Sequence, residues 1–329
     1  MPWKQDVEGD DKLKLTDFYR FIIDEGISKD PRGLERVKLE IKRKKEEFEK
    51  MQEAKKREFD QEALHNPYSD TRILHDTKKE IKSILVGIDI ETPELLLADR
   101  LRSRGKEIEL ALAHHPEGRA YANFYEVMGM QADILNKYGV PINIAEDLLA
   151  KRIKDVSRKV MSVNHFRAVD AAQLLDISFI CVHTPADNFV TTYLQGLVDE
   201  KKPELVEDAI GLLKEIPEYE QASARGNGPK VIVGSEKRRA GKIFVDMTGG
   251  TEGSEEALEK LSDSGVGTIV GMHMGEKHYQ NAEKFHINVI IAGHITSDTL
   301  GLNLILDRAI EKFGPLNIIS CSGFYRIKR

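Results

Sequence analysis

Ile287-Asn288-Val289-Ile290-Ile291-Ala292-Gly293-His294-Ile295-Thr296-Ser297-Asp298 is a short β-branched run that stops at a glycine and passes into helical spacing. Leu300, Leu302, Leu304, Ile305 and Ile310 continue that spacing, so a strand hands over to a helix at His294. Residues four apart share a helix face, which sets the His294 imidazole beside the Asp298 carboxylate in the manner of metal ligands. A histidine at a helix start also serves as a cap or a packed side chain. The pair therefore takes its meaning from the rest of the chain.

Upstream of this stretch, strands and helices alternate from Ile81 onward. Strands are expected at 84–90, 108–113, 177–182, 230–233, 242–246 and 267–270, with a last one at about 316–320. Helices are expected from Thr92 through Leu101, from Ala168 to Leu175, from about Asn188 to Val198, from Glu207 to Ile216, from Ser254 to Leu261 and from Glu276 to Phe285. That alternation predicts an α/β fold with mostly parallel strands and crossover helices. Pro217 to Pro229, bounded by prolines and carrying Gly226-Asn227-Gly228, reads as a link between two halves, and no internal repeat is evident. Before Ile81 the texture differs: Arg32 to Phe59 is nearly all Lys, Arg and Glu and reads as one long exposed helix, lying on its own core or reaching a partner. Asn66-Pro67-Tyr68-Ser69-Asp70 is turn chemistry and marks a boundary. Three regions are expected: a charged helical extension over 1–75, a first α/β half over 76–216 and a second over 217–329.

Composition narrows the function. Charged residues make up 32% of the 329 and the net charge is -6, a balance that does not draw nucleic acid or an acidic membrane. A small-molecule substrate is the expected partner. Cys181 and Cys321 are too few for a disulfide framework and fit a reducing cytosol as buried thiols. Met1 to Asp10 lacks a signal-peptide core, and no apolar run approaches the roughly 18 residues that span a bilayer. A cytoplasmic protein is expected.

In open α/β sheets, ligands gather beyond the carboxyl ends of strands. Three such ends carry metal-ligand types: His114-His115, His183 with Asp187, and His294 with Asp298. Adjacent strand residues point to opposite faces, so His114 and His115 share a site only where the strand breaks, and Pro116 with Gly118 supplies the break. Two neighbouring imidazoles suit two ions, one apiece, with a carboxylate such as Asp187 bridging. Imidazole and carboxylate without thiolate suit Zn, Fe, Mn or Co. Five side chains leave open positions for water or substrate, and water shared by two cations becomes a nucleophile near neutral pH. The plain alternative is that His-His-Pro ends a strand and Asp187 caps a helix.

The ordered motifs Ser-Asp-Thr-Arg-Ile-Leu, Ile-Leu-Val-Gly-Ile-Asp, Leu-Ala-His-His-Pro, Val-His-Thr-Pro-Ala-Asp, Met-Gly-Glu-Lys-His and Ala-Gly-His-Ile-Thr-Ser-Asp span residues 68 to 329. In that combination the chain resembles the Nif-three-like dinuclear metal-centre family, homologues of type 2 GTP cyclohydrolase I. The resemblance implies two α/β halves, two divalent metal ions in a cleft between them, a toroidal homohexamer and a hydrolase-like or cyclohydrolase-like activity. It implies His114, His115, Asp187 and His294 as ligands. The fifth family ligand is usually Glu, and Asp298 stands there, one methylene shorter. The charged extension has no counterpart in compact members.

Around these ligands His183, Glu276 and His278 are candidates for proton transfer or for orienting a ligand, and Asp89 shares that ambiguity. The glycine-rich loop Asp246 to Ser254 could receive phosphate on its amides, but Glu252, Glu255 and Glu256 oppose an anion there. Lys237-Arg238-Arg239 with Lys242 reads as a solvated basic turn. Two functions follow: a dinuclear metal-dependent hydrolase using activated water on a small polar or nucleotide-like substrate, or a non-catalytic metal-binding ring scaffold that recruits a partner.

Overall fold

The computed structural model describes residues 12–329. Two sheets carry the fold, with strands β1 (Arg72–His75), β2 (Ser83–Gly87), β3 (Leu110–Ala113), β4 (Ser178–Cys181), β5 (Lys230–Val233), β6 (Lys242–Asp246), β7 (Val266–Gly271), β8 (Asn288–Ile291) and β9 (Asn317–Ser320). The strands β2, β3 and β4 are buried along their whole length, which is why Ser-Ile-Leu-Val-Gly, Leu-Ala-Leu-Ala and Ser-Phe-Ile-Cys are continuous apolar runs without alternation. The α/β class with mostly parallel pairing matches the expectation from the sequence.

The two sheets repeat one plan. The first runs β1-β4-β3-β2-β9 and the second β5-β8-β7-β6. In each, an edge strand lies antiparallel to the fourth strand of its unit, and the other three pair in parallel in reversed order. Register makes Ala113 equivalent to Gly271 and Cys181 equivalent to Ile291. A sequence without evident repetition thus folds as two similar units, because the likeness lies in strand order and not in residue identity. The last strand, β9, returns to the first sheet beside β2, so the C-terminal segment serves both sheets.

The strand β1 escaped the sequence reading: Arg-Ile-Leu-His has a polar residue at both ends, and its Arg72 is buried, engaging Asp60 and the carbonyl oxygen of Thr71. The supposed boundary before it is also interior, with Asn66, Tyr68 and Asp70 all buried. Asn66 accepts from the Tyr68 amide at 2.8 Å, an Asx turn folded inward. The charged stretch is two helices, Leu34–Lys50 and Glu53–Glu58, separated by extended backbone at Met51 and Gln52. It lies on its own chain: Val37 is fully buried and Arg36 pairs with Asp133 at 2.8 Å. Ahead of it, helix Leu15–Ser28 buries Leu15, Phe18 and Ile22 in the main core. The link expected from Pro217 opens as a helix, Pro217–Ala224, because proline suits the first turn of a helix.

Helices Thr184–Lys201 and His294–Phe313 follow β4 and β8 and pack against each other. Gly301 makes this possible: a Cβ there would lie 2.4 Å from the Ala186 carbonyl oxygen. The close crossing brings the starts of both helices, one from each unit, to one place.

Candidate metal centre

Helix Thr184–Lys201 begins four residues earlier than its apolar pattern indicates, so His183 immediately precedes it and Asp187 falls in its first turn. His294 opens the second helix and Asp298 follows one turn on, their Nε2 and Oδ2 atoms 3.6 Å apart. His114 and His115 leave the end of β3, where the chain bends and both amides donate to the Ile88 carbonyl oxygen. The strand break required for both imidazoles to enter one site is therefore present.

The cluster is built around His114. Its Nε2 lies 3.4 Å from Asp187 Oδ1 and 3.4 Å from Asp298 Oδ1, while Asp298 Oδ2 is 3.5 Å from His115 Nε2. Three overlapping groups have donor atoms within 4.8 Å of one another: His114, His115 and His183; His115, His294 and Asp298; and His114, Asp187 and Asp298. All five residues read as ligands from the sequence thus meet, and His183, read as a proton-transfer candidate, joins them with its ring 4.8 Å from that of His114.

Three of the imidazoles are held by the ring nitrogen that faces away from the cluster. Nδ1–H of His114 donates to the Val182 carbonyl oxygen at 3.0 Å, that of His115 to Asp89 at 2.7 Å and that of His183 to Asp70 at 2.8 Å. Each bond leaves Nε2 toward the cluster, the arrangement of metal-binding histidines. Asp89 thereby acquires an orienting role. Asp70 was missed by sequence reading because it lies 113 residues from His183. It also accepts from Thr184 Oγ1 at 2.6 Å and is itself fully buried.

The carboxylates supply the test of fit for a metal. Asp298 is 1% exposed, yet neither of its oxygens has a hydrogen-bond partner, and Asp187 Oδ1 is likewise unpartnered. A buried carboxylate so placed costs several kcal/mol unless a cation neutralises it. Burial alone would depress the His114 imidazole, but Asp298 and Asp187 outweigh it and hold it at about 10. Burial would raise Asp298, and the facing imidazoles of His114, His115 and His294 drive it far below the usual carboxylate range. Without metal, protons on histidine carry the compensating charge. The donor set fits divalent cations of the Zn, Fe, Mn or Co type.

Opposite the cluster, a cavity of about 100 Å³ runs into the second unit between Asp187, Asp298, His183 and His294 on one side and Glu252, His273 and His278 on the other. Glu252 Oε1 accepts from the Gly275 amide at 2.6 Å and from His273 Nδ1–H at 3.3 Å. Burial would raise its carboxyl, but the bonds from His273 and Gly275 and the nearby His278 bring it down to about 2. The His273 ring is 4.8 Å from that of His294. His278 donates through Nε2–H to the Gly253 carbonyl oxygen at 3.2 Å. Glu276 does not line this cavity; it is exposed at its helix start and accepts from Gln280. His273 went unread in the sequence, and the signal was register: it stands two residues past Gly271 as His115 stands two past the equivalent Ala113.

No family model matches the chain, and no curated protein matches it. Among solved structures, a NIF3 superfamily protein from Sphaerobacter thermophilus is 29% identical, covering 78% of this chain and 91% of that one with a TM-score of 0.67. Reduced HcgD from Methanocaldococcus jannaschii is 15% identical over 76% of this chain and 87% of that one, TM-score 0.48. A Bacillus cereus protein related to NIF3 is 11% identical over 76% of this chain and 89% of that one, TM-score 0.41.

Proposed function

This chain is a Nif3-like protein, and on that premise we propose that it is a dinuclear metal-dependent hydrolase acting on a small polar substrate. The observation that carries the reading is the buried Asp298 carboxylate, free of hydrogen bonds and facing the Nε2 atoms of His114, His115 and His294. His114, Asp187 and Asp298 would hold one cation and His115, His294 and Asp298 the other, with His183 beside the first. Cations held there would acidify a water and polarise a substrate oxygen.

The chain's own residues do the rest. Val182, Asp89 and Asp70 keep the Nδ1 protons of three imidazoles, so each ring is fixed before any ligand arrives. Glu252 holds the Nδ1 proton of His273 and leaves its Nε2 to exchange a proton with substrate in the cavity. The Gly253 carbonyl oxygen fixes His278, whose Nδ1 stands 3.7 Å from Glu252 Oε2. The apolar wall formed by Phe244, Leu258 and Ile269 limits water beyond that point.

Metal-stripped protein reloaded with zinc, manganese or iron should take up two ions per chain by elemental analysis and turn over a panel of esters, amides and phosphoesters. His114→Ala should lose both metal and turnover. Equal turnover by the stripped protein would sink the reading.

A further inference from the structure

The wall of the cavity beside the cluster carries Asp187, Asp298, Asp246 and Glu252, and no lysine or arginine lines it among the described residues. Arg152 is engaged from outside by the Glu252 carbonyl oxygen at 3.0 Å. The Asp246 carboxylate, at the end of β6, has no hydrogen bond or ion pair from a side chain among the described residues. The glycine-rich loop that borders the cavity contributes two of those acids, Asp246 and Glu252. Its Glu252 already takes the Gly275 amide, Ser254 Oγ accepts from the Glu256 amide at 3.3 Å, and the helix that follows, Ala257–Asp263, is short. Phosphate tails are held in proteins by Lys, Arg or clustered free amides. Beyond the metal positions no Lys or Arg lines this cavity, and its acids oppose an anion.

Its inner end is apolar. Phe244, Ala257, Leu258, Leu261 and Ile269 close it, all 6% exposed or less. Gln131 lines the same space, but its amide nitrogen is committed to the carbonyl oxygens of Gly249 and Thr251 at 2.7 Å each. This apolar end suits a compact ring or branched alkyl group.

Building on the metal-hydrolase reading, we infer that the substrate is a small phosphate-free carboxamide whose apolar group enters between Phe244, Leu258 and Ile269. The amide itself lies against the cluster, and its nitrogen side faces Glu252 and Asp246. Hydrolysis adds water across the amide: the carbonyl carbon gains the oxygen, the C–N bond breaks, and the departing nitrogen takes up a proton. The amine so formed becomes a cation beside two carboxylates. The same carboxylates repel phosphate esters, which sets the discrimination.

Two measurements on the full chain test this. In metal-stripped protein, calorimetric titration should show benzamide and benzylamine binding at least about tenfold more tightly than benzyl phosphate, a factor worth about 1.4 kcal/mol. Asp246→Lys, or Thr251→Lys on the same wall should the first variant fail to fold, should reverse that order. In zinc-loaded protein, a short apolar 4-nitroanilide should give a higher kcat/KM than 4-nitrophenyl phosphate. Benzyl phosphate binding the stripped chain as tightly as benzamide, or preference for the phosphate ester with zinc bound, overturns the carboxamide class. A chain that takes up no zinc yet keeps the binding order overturns the metal-hydrolase reading instead.

Discussion

Asp187 and Asp298 each place one carboxylate oxygen 3.4 Å from the same atom, Nε2 of His114. They come from two helices that belong to different sheets, so neither half of the chain can assemble the centre alone. His114 sits between them and is buried. The consequences divide into what holds the metal, what holds the imidazoles and what holds the helices.

Asp298 belongs to two of the three candidate ligand groups. Asp298→Asn should lower the metal content below one ion per chain, whereas Asp298→Glu should keep two. A ligand at one hundred times its Kd stabilises the folded state by about 2.7 kcal/mol. At matched excess zinc, wild type should gain about that much in urea unfolding and Asp298→Asn less than half. Equal metal content in the two proteins would remove Asp298 from the ligand set.

Protons and metal compete for the same imidazole. The carboxylates raise the His114 pKa from 6.5 to about 10, so the stripped protein holds this proton at neutral pH. A raised histidine contributes stability that is complete below about pH 6.5 and is lost as the pH climbs through about 10. Asp298, being depressed, contributes above its ordinary 3.8 and loses that contribution as the pH falls below it. The stripped protein should therefore weaken between pH 7 and 10, while zinc affinity should rise with pH over the same interval. Titrating zinc in buffers of different ionisation enthalpy should show net proton release at pH 7. Absence of release would mean that His114 is neutral before metal arrives.

Asp70 touches no metal position, yet it fixes His183 Nδ1 and Thr184 Oγ1. Partners of ligand histidines are worth about 10–100-fold in metal affinity, so Asp70→Asn should weaken zinc binding by about that factor. A purely structural role would lower the unfolding midpoint and leave zinc affinity unchanged.

Gly301 is the contact on which the crossing of the two helices rests. In Gly301→Ala the new methyl meets the Ala186 carbonyl oxygen, and overpacking of this kind costs about 1–3 kcal/mol. Urea unfolding should register that loss, and metal content should fall with it because His294 and Asp298 shift away from Asp187. Leu304→Ala on the same helix serves as a control: it removes packing without separating the helices and should leave the metal content intact.

Much of this centre was legible along the chain because it is written in neighbours. His294 and Asp298 are one helical turn apart, His183 and Asp187 likewise, and His114-His115 ends an apolar strand before a proline. Continuous apolar runs marked the parallel strands for the same reason: burial on both faces is a property of each strand separately. What stayed hidden depends on residues far apart in sequence. The short β1, Asp70 behind His183, the Glu252 and His273 pair and the return of β9 to the first sheet each rest on contacts between elements that periodicity does not connect. Even the repeated plan of the two sheets is a matter of pairing order, which different side chains satisfy equally well. The sequence by itself determined which side chains were suited to a cation and on which turn each would stand. Only the tertiary structure decided that they would face one another, because that follows from two helices crossing closely at Gly301, and a close approach is a property of both surfaces at once.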